Sequence, residues 1–167
     1  MRPALEGARK HLGESHVIGV EVGVLRGENS REILSQWDSV SILHLVDNYC
    51  ENNAAELDVA KRNIEPWKNK VVWHLVTSVE AAKKTLFESR DFVYIDAGHD
   101  YENVMADMNA WWPKIRHGGV LCGHDYQFRW ESMKGLVMAV NEFSTKNSLE
   151  LNTDTSGSSS DWWIIKK

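Results

Sequence analysis

The chain has 167 residues, of which 43% are hydrophobic and 26% are charged, and its formal net charge is −5. These values are ordinary for a globular protein, and we expect one domain over residues 1–167 with a full hydrophobic core. The acidic balance and the lack of a long basic run argue against a nucleic-acid partner.

Cysteine usage and hydropathy set expectations about the compartment. The chain has two cysteines, Cys50 and Cys122, in no metal-binding spacing, and we expect both to be reduced thiols. Charged residues within the first fifteen positions exclude a signal peptide there. No apolar run approaches the ~20 residues that a membrane span needs. We therefore expect a soluble, cytoplasmic protein without a membrane partner.

Short apolar runs alternate with helix-like stretches along most of the chain. This alternation is typical of parallel strands joined by helical crossovers. The predicted helices are 3–14, 29–37, 51–63, 79–88, 103–115 and 133–143. The predicted strands are 17–22, 41–46, 71–76, 92–95, 120–122, 148–151 and 161–165. Asn29 or Ser30 is expected to cap the second helix.

The last two predicted strands differ from the others because a polar segment, 152–160, joins them. Such a connection predicts a β-hairpin. Within the final strand, Trp162 and Trp163 must face opposite sides of the sheet. Five strands alternating with helices, followed by a hairpin, indicate a doubly wound, Rossmann-like α/β sheet with an antiparallel edge.

A glycine-rich turn follows the first predicted strand. Glu21 is followed by Gly23 and Gly27, and small residues at such a turn let the backbone approach a ligand closely. The G-x-G-x-x-G pattern that accommodates a dinucleotide pyrophosphate is missing. Because Glu21 places a carboxylate at the turn, the site is expected to repel pyrophosphate and to attract a cationic ligand.

Polar residues also follow the second and third predicted strands. Asp47 lies about twenty residues beyond Gly27, where a carboxylate can accept hydrogen bonds from ribose hydroxyls. Its neighbour Asn48 is a further cofactor-binding candidate, and Ser78 can contact a nucleobase edge. The implied ligand has an adenosine half and a positive centre, as S-adenosylmethionine does. Taken singly, Asp47 or Ser78 could instead cap the helix that follows.

The fourth and fifth predicted strands end in acids and histidines. Asp96 and His99 follow one strand, and His124 and Asp125 follow the other. Ligands of parallel sheets bind outside the carboxyl ends of the strands, so these four side chains should converge on one cleft. Carboxylates and imidazoles can hold a divalent cation, and an imidazole can act as a general base.

Other roles for this cluster stay open. His99 could instead hydrogen-bond Asp125, and His124 with Asp125 could form an acid–base pair without metal. Asp100 could cap the next helix, Asp107 is expected in a bridge or at an exposed position, and Trp130 could border an acceptor.

With these residues in place, the chain resembles the class I S-adenosylmethionine-dependent methyltransferases. Within that family it resembles the metal-dependent catechol and macrolide-sugar O-methyltransferases, over about residues 17–167. The segments that carry the resemblance are 21–27, Asp47, 95–101 with Asp107 and 111–113, and 118–121 with His124 and Asp125.

The resemblance implies strand order 3-2-1-4-5-7-6, with strand 7 antiparallel. It implies methyl transfer from S-adenosylmethionine to a hydroxyl of a sugar, a glycan or another small polar acceptor. His124 stands where the metal-dependent relatives usually carry a carboxylate or an amide. Little sequence is available to cover the substrate, so the pocket is expected to be open or closed by a second subunit, as in a homodimer.

The resemblance also implies roles for individual residues. His99 is expected to be the general base, and Asp96 and Asp125 are further catalytic candidates. A divalent metal, Mg²⁺ or Mn²⁺, would be held by Asp96, His124 and Asp125. The implied cofactor-binding residues are Glu21, Gly23, Gly27, Asp47, Asn48, Ser78 and Asp96.

Three other functions are compatible with parts of the pattern. The first is a nicotinamide-dependent oxidoreductase, against which the missing G-x-G-x-x-G counts. The second is a metal-dependent hydrolase, which would leave Glu21, Asp47 and Ser78 without a role. The third is a cofactor-binding module without catalysis, and the chain could also be one domain of a longer enzyme.

Overall fold

The computed structural model describes residues 1–13, 16–50, 53–127, 131–154 and 160–167. The helices are α1 Pro3–Leu12, α2 Glu28–Gln36, α3 Ala54–Ile64, α4 Ser78–Lys84, α5 Tyr101–Trp111 and α6 Lys134–Lys146. The strands are β1 Val17–Val22, β2 Val40–Val46, β3 Val71–His74, β4 Arg90–Ile95, β5 Ile115–Gly123, β6 Leu151–Asp154 and β7 Asp161–Ile165. Short 3₁₀ turns follow α3 and α5 and precede α6.

The strands form a sheet in the order β3-β2-β1-β4-β5-β7-β6. Strands β1 to β5 pair in parallel, whereas β7 runs antiparallel to both of its neighbours. The predicted doubly wound α/β fold, its strand order and its antiparallel strand 7 are therefore confirmed. Val22 pairs with both Val46 and Ile95, and Ile95 pairs with Gly123, so the ends of four strands meet at one edge.

Two hydrophobic clusters cover the two faces of this sheet. One cluster packs α5 and α6 against the sheet and contains the fully buried Trp111 and Trp162. The other packs α1, α2 and α3 and contains Trp37 and Phe92, whose stacked rings lie 5.0 Å apart. Trp163 packs against this second cluster. The two adjacent tryptophans therefore face opposite sides, as the strand period predicted.

Several predicted boundaries are wrong. Strand β6 starts at Leu151, not at 148, because α6 continues to Lys146 and a turn follows it. Strand β3 ends at His74, two residues before the predicted end. Residues 51 and 52 of the third predicted helix lie outside the described residues. Among the described helices, none is long and apolar enough to cross a bilayer.

Helix caps follow local chemistry rather than position alone. Gly27, with φ 70°, occupies the N-cap of α2, and no side chain of the described residues caps that helix. The predicted caps, Asn29 and Ser30, instead donate hydrogen bonds to Glu21. Thr77 forms a capping box at the start of α4, and Asp100 caps α5 by accepting a hydrogen bond from the Asn103 amide.

Candidate active site

A cavity of about 650 Å³ opens at the carboxyl edge of the sheet, between the ends of β1, β2 and β4. Its volume is typical of small-molecule sites. The predicted site residues in its wall are Glu21, Gly23, Asp47, Asn48, Ser78, Asp96 and His99. The structure therefore brings most of the predicted cofactor residues together with the predicted base. Gly27, His124 and Asp125 are not part of this wall.

Glu21 is a buried carboxylate in the cavity wall. It lies on β1, is 1% exposed, and accepts hydrogen bonds from the Ser30 hydroxyl and, at 3.0 Å, from Asn29 Nδ2. Burial raises the pKa of Glu21 to about 7 despite these hydrogen bonds. Asn29 Oδ1 is buried beside it and has no hydrogen-bond partner in the part of the chain that the structure describes. Glu21 and Asn29 therefore place acceptor oxygens at one end of the cavity.

Gly23 places the turn after β1 directly against the end of β4. Its φ of 86° favours glycine, and a Cβ there would lie 2.0 Å from the Asp96 carbonyl oxygen. At Gly27, also left-handed, a Cβ would lie 2.7 Å from Ile64 Cδ1. Close packing against backbone therefore requires glycine at Gly23, which also lets backbone line the cavity, whereas the left-handed φ is what favours glycine at Gly27.

Asp47 holds the same turn in place. Its Oδ2 accepts hydrogen bonds from the Val24 and Leu25 amides, both at 3.0 Å, and its Oδ1 accepts one from the Tyr49 amide at 2.9 Å. The Tyr49 hydroxyl donates to the Leu25 carbonyl at 2.9 Å. Leu25 and Tyr49 both have positive φ angles, 48° and 41°. A carboxylate has about four acceptor positions, so Asp47 retains roughly one for a ribose hydroxyl.

Ser78 is oriented by two neighbours on α5. Its Oγ accepts a hydrogen bond from Trp111 Nε1 at 2.9 Å and is also hydrogen-bonded to Asp107. Because an ionised carboxylate can only accept, the Ser78 hydroxyl donates to Asp107 in that state. Burial raises the pKa of Asp107 to about 6.

Asp107 lies in the cavity wall and is 6% exposed, a position that the sequence analysis did not predict. Neither expectation holds, since Asp107 is buried and forms no ion pair with another described residue. Its spacing of three or four residues from Val104 and Trp111, both buried, was a signal that could have placed it on the inner side of α5.

Asp96 and His99 line the other end of the cavity, and Asp125, which is not part of the wall, lies beside them. Each offers one donor atom, and these three atoms lie within 4.8 Å of one another. His99 Nε2 lies 2.8 Å from Asp125 Oδ2, but the contact lacks hydrogen-bond geometry, and this nitrogen is otherwise unpartnered among the described residues. Asp125 has a φ of 59°, an uncommon conformation that positions its carboxylate there. Burial raises the pKa of Asp96. The carboxylate oxygens of this cluster fit Mg²⁺ or Mn²⁺, and an imidazole ligand would favour Mn²⁺ over Mg²⁺.

His124 was predicted to be a metal ligand, but it is not one of the three residues that form the cluster that could hold a cation. Its Nδ1 lies 2.7 Å from Asp161 Oδ1, and its Nε2 contacts the Arg2 guanidinium. A guanidinium can only donate, so Nε2 is the acceptor and Nδ1–H donates to the Asp161 carboxylate. Both nitrogens are thus engaged. His99 takes the place of His124 in the cluster that could hold a cation.

Arg2 and Asp161 were missed by the sequence analysis. No local pattern relates residue 2 or residue 161 to residue 124, since the contacts are made by the folded chain. Trp130, which was expected to border the acceptor, lies outside the described residues. Tyr126 donates a hydrogen bond to Asn141 Oδ1 at 2.9 Å and helps to hold α6.

Known structures share this fold. An O-methyltransferase from Bacillus cereus in complex with SAH is 19% identical, with a TM-score of 0.70 over 99% of this chain and 82% of that one. The O-methyltransferase NovP is 18% identical, with a TM-score of 0.71 over 98% and 79% of the two chains. Spermidine synthase from Thermotoga maritima is 16% identical, with a TM-score of 0.70, and matches 96% of this chain but 56% of its own. At these identities the likeness shows the fold.

The sequence match assigns the family. No curated protein sequence matches the chain significantly. Residues 20–126, more than half of the chain, match a family model described as a methyltransferase domain. This match does not favour the nicotinamide-dependent alternative. The chain therefore belongs to this methyltransferase family, in agreement with its resemblance to the class I S-adenosylmethionine-dependent enzymes.

Proposed function

We propose that the chain transfers a methyl group from S-adenosylmethionine to a hydroxyl of a small polar acceptor, such as a sugar or a glycan. One observation carries the proposal: a single cavity runs from the buried Glu21 carboxylate to His99 and Asp96. An acceptor held at the His99 end would therefore face a cofactor held at the Glu21 end.

The cofactor end of the cavity fits a ligand with an ammonium group. Glu21 and the unpartnered Asn29 Oδ1 offer acceptors to N–H donors, and a cation would offset the burial of the Glu21 carboxylate. Asp47 and Asn48, which also line the cavity, are proposed to accept hydrogen bonds from the ribose hydroxyls. When bound, S-adenosylmethionine supplies a methyl group already activated by a sulfonium.

His99 is proposed as the general base. A hydroxyl is a poor nucleophile while protonated, and the His99 imidazole is the group proposed to accept that proton. The Asp125 carboxylate, 2.8 Å away, would stabilise the imidazolium that results. The chain's remaining task is to hold the hydroxyl in line with the methyl group.

A divalent cation is proposed at the carboxylates of Asp96 and Asp125. Mg²⁺ is commonly held by one or two carboxylates together with water, so these two residues suffice as protein ligands. When bound, such an ion lowers the pKa of a coordinated hydroxyl. His99 would then stay available for the proton.

Replacing His99 tests the proposal. In His99→Ala we expect kcat to fall by about 10²- to 10⁴-fold, because proton removal is lost, while the affinity for S-adenosylhomocysteine stays unchanged. The measurement is release of S-adenosylhomocysteine from S-adenosylmethionine with a panel of sugar, glycan and catechol acceptors, combined with calorimetry.

The matched control is His117→Ala, which removes a histidine that is 72% exposed and distant from the cavity wall. This variant should keep its turnover. Undiminished turnover in His99→Ala would contradict the proposed base.

A further inference from the structure

Arg2 places a fixed positive charge inside the candidate active site. Its Nη2 lies 3.6 Å from Asp96 Oδ2, its Nη1 contacts His124 Nε2, and its side chain lines the cavity. The side chain is 27% exposed, so much of the guanidinium is withdrawn from water. A guanidinium stays protonated at any working pH.

A buried carboxylate holds Arg2 in this position. Asp161 is 0% exposed; its Oδ1 accepts from His124 Nδ1 at 2.7 Å, and its Oδ2 accepts from the Ala4 amide at 3.0 Å. The first turn of α1 and the imidazole that contacts Arg2 are therefore tied to the same side chain. Arg2 is therefore held by its backbone connection to α1 and by the contact of its side chain with His124. A surface arginine that lies near an acid lacks such restraints.

The guanidinium and a divalent cation would need the same carboxylate. Asp96 is the residue nearest to Arg2 in the cluster, and it is also a proposed ligand of the cation. Charges of like sign within a few ångströms repel each other strongly in a partly buried site. Binding of a cation at Asp96 must therefore either displace Arg2 or work against its charge.

We infer that Arg2 is a positioning residue that competes with a divalent cation for Asp96 and so sets the cation affinity of the active site. The inference rests on the proposed function. Because Arg2 directly precedes α1, binding of a cation and docking of the start of this helix become coupled. When no ion is bound, Arg2 holds Asp96 in place.

The test compares Mn²⁺ binding by the whole chain and by Arg2→Met, using calorimetry and the electron paramagnetic resonance signal of free Mn²⁺. We expect Arg2→Met to bind Mn²⁺ about tenfold more tightly or better, because a competing charge has been removed. Arg2→Lys keeps the charge and should bind less tightly than Arg2→Met. Equal or weaker Mn²⁺ binding by Arg2→Met would overturn the inference.

A control variant and a measurement on the unmodified chain separate the effect of Arg2 from a general effect of misfolding on Mn²⁺ binding. Arg9→Met removes an arginine on the outer side of α1 that donates to the Gln36 carbonyl, and it should leave Mn²⁺ affinity unchanged. In the unmodified chain, the Arg2 Nε–H resonance should shift or exchange faster as Mg²⁺ is added. A resonance that does not respond to saturating Mg²⁺ would also overturn the inference.

Failure of this inference and failure of the proposed function give different results. Each variant is also titrated with S-adenosylhomocysteine, whose binding does not require Arg2 to move. Unaltered S-adenosylhomocysteine binding with unaltered Mn²⁺ binding would remove the role of Arg2 alone. Loss of S-adenosylhomocysteine binding in the unmodified chain would remove the proposed function.

Discussion

The residues of the site are of two kinds. Some lie at the carboxyl end of a parallel strand, and others reach the site from distant parts of the chain. Glu21 lies at the end of β1, and Asp47, Asp96 and Asp125 lie just beyond the ends of their strands. The hydrophobic run before each of these acids made its place predictable, because parallel strands end at one edge. Arg2 and Asp161 contact His124 from 122 and 37 positions away along the chain, and no local spacing encodes such contacts.

The two histidines show a finer limit of the sequence. His99 and His124 both follow strands, and a histidine at either position could act as a general base or as a metal ligand. Their roles are separated by the partners of their nitrogens: Asp161 and Arg2 engage His124, whereas His99 Nε2 has no hydrogen-bond partner among the described residues. The partners of His124 are supplied by the packing of α1 and β7. The sequence therefore could not show that His99, and not His124, lies in the cluster that could hold a cation.

Glu21 should make the stability of the ligand-free protein depend on pH. Its pKa is about 7 in the folded chain against 4.5 as a reference for the unfolded chain, so the folded state binds the extra proton between these values. Stability should therefore decrease as pH rises through this window, by on the order of 3 kcal/mol from this group. Urea unfolding at about pH 5 and about pH 8 measures the change.

Glu21→Gln should remove this part of the pH dependence and should also weaken the binding of S-adenosylmethionine at the higher pH. Glu6→Gln, at an exposed position on α1, is the control and should keep the pH dependence of the unmodified chain. An identical pH profile in Glu21→Gln and in the unmodified chain would contradict the assignment of the effect to this buried carboxylate.

At the scale of elements, the bounds of two strands were predicted correctly, whereas the cap of α2 was not. The bounds of β1 and β7 agree with the prediction because apolar runs with clear ends define them. The start of α2 was misplaced because two side chains with capping ability, Asn29 and Ser30, are used by Glu21 instead. Capping propensity is a local preference, and a buried carboxylate nearby overrides it.

The Asp100 cap of α5 was among the expectations and can be tested by stability. Its Oδ1 accepts from the Asn103 amide at 3.0 Å, and its Oδ2 accepts from Asn103 Nδ2 at 2.7 Å. Asp100→Ala should lower the free energy of unfolding, measured as a lower urea midpoint, because the N-cap hydrogen bond of α5 is lost. Asp100→Ser can still cap the helix and should retain most of this stability. Equal losses in both variants would show that capping is not the cause.

At the scale of the whole molecule, the strand order brings most of the site residues together. The order β3-β2-β1-β4-β5-β7-β6 puts β1 between β2 and β4, so the turn after β1, Asp47 and Asp96 meet around one cavity. The alternation of strands and helices predicted the fold class, and the family resemblance implied this order. The cavity's inner wall on α5, including Asp107, depended on how that helix packs and was not predicted.

The central claim is that this cavity binds S-adenosylmethionine between Glu21 and Asp47, with the reacting hydroxyl at His99. The most direct measurement is a calorimetric titration with S-adenosylmethionine and S-adenosylhomocysteine, each with and without Mg²⁺ or Mn²⁺. We predict micromolar binding of both ligands that weakens in Asp47→Ala, because this substitution frees the turn after β1 and removes a ribose acceptor. No binding of either ligand under any of these conditions would contradict the claim.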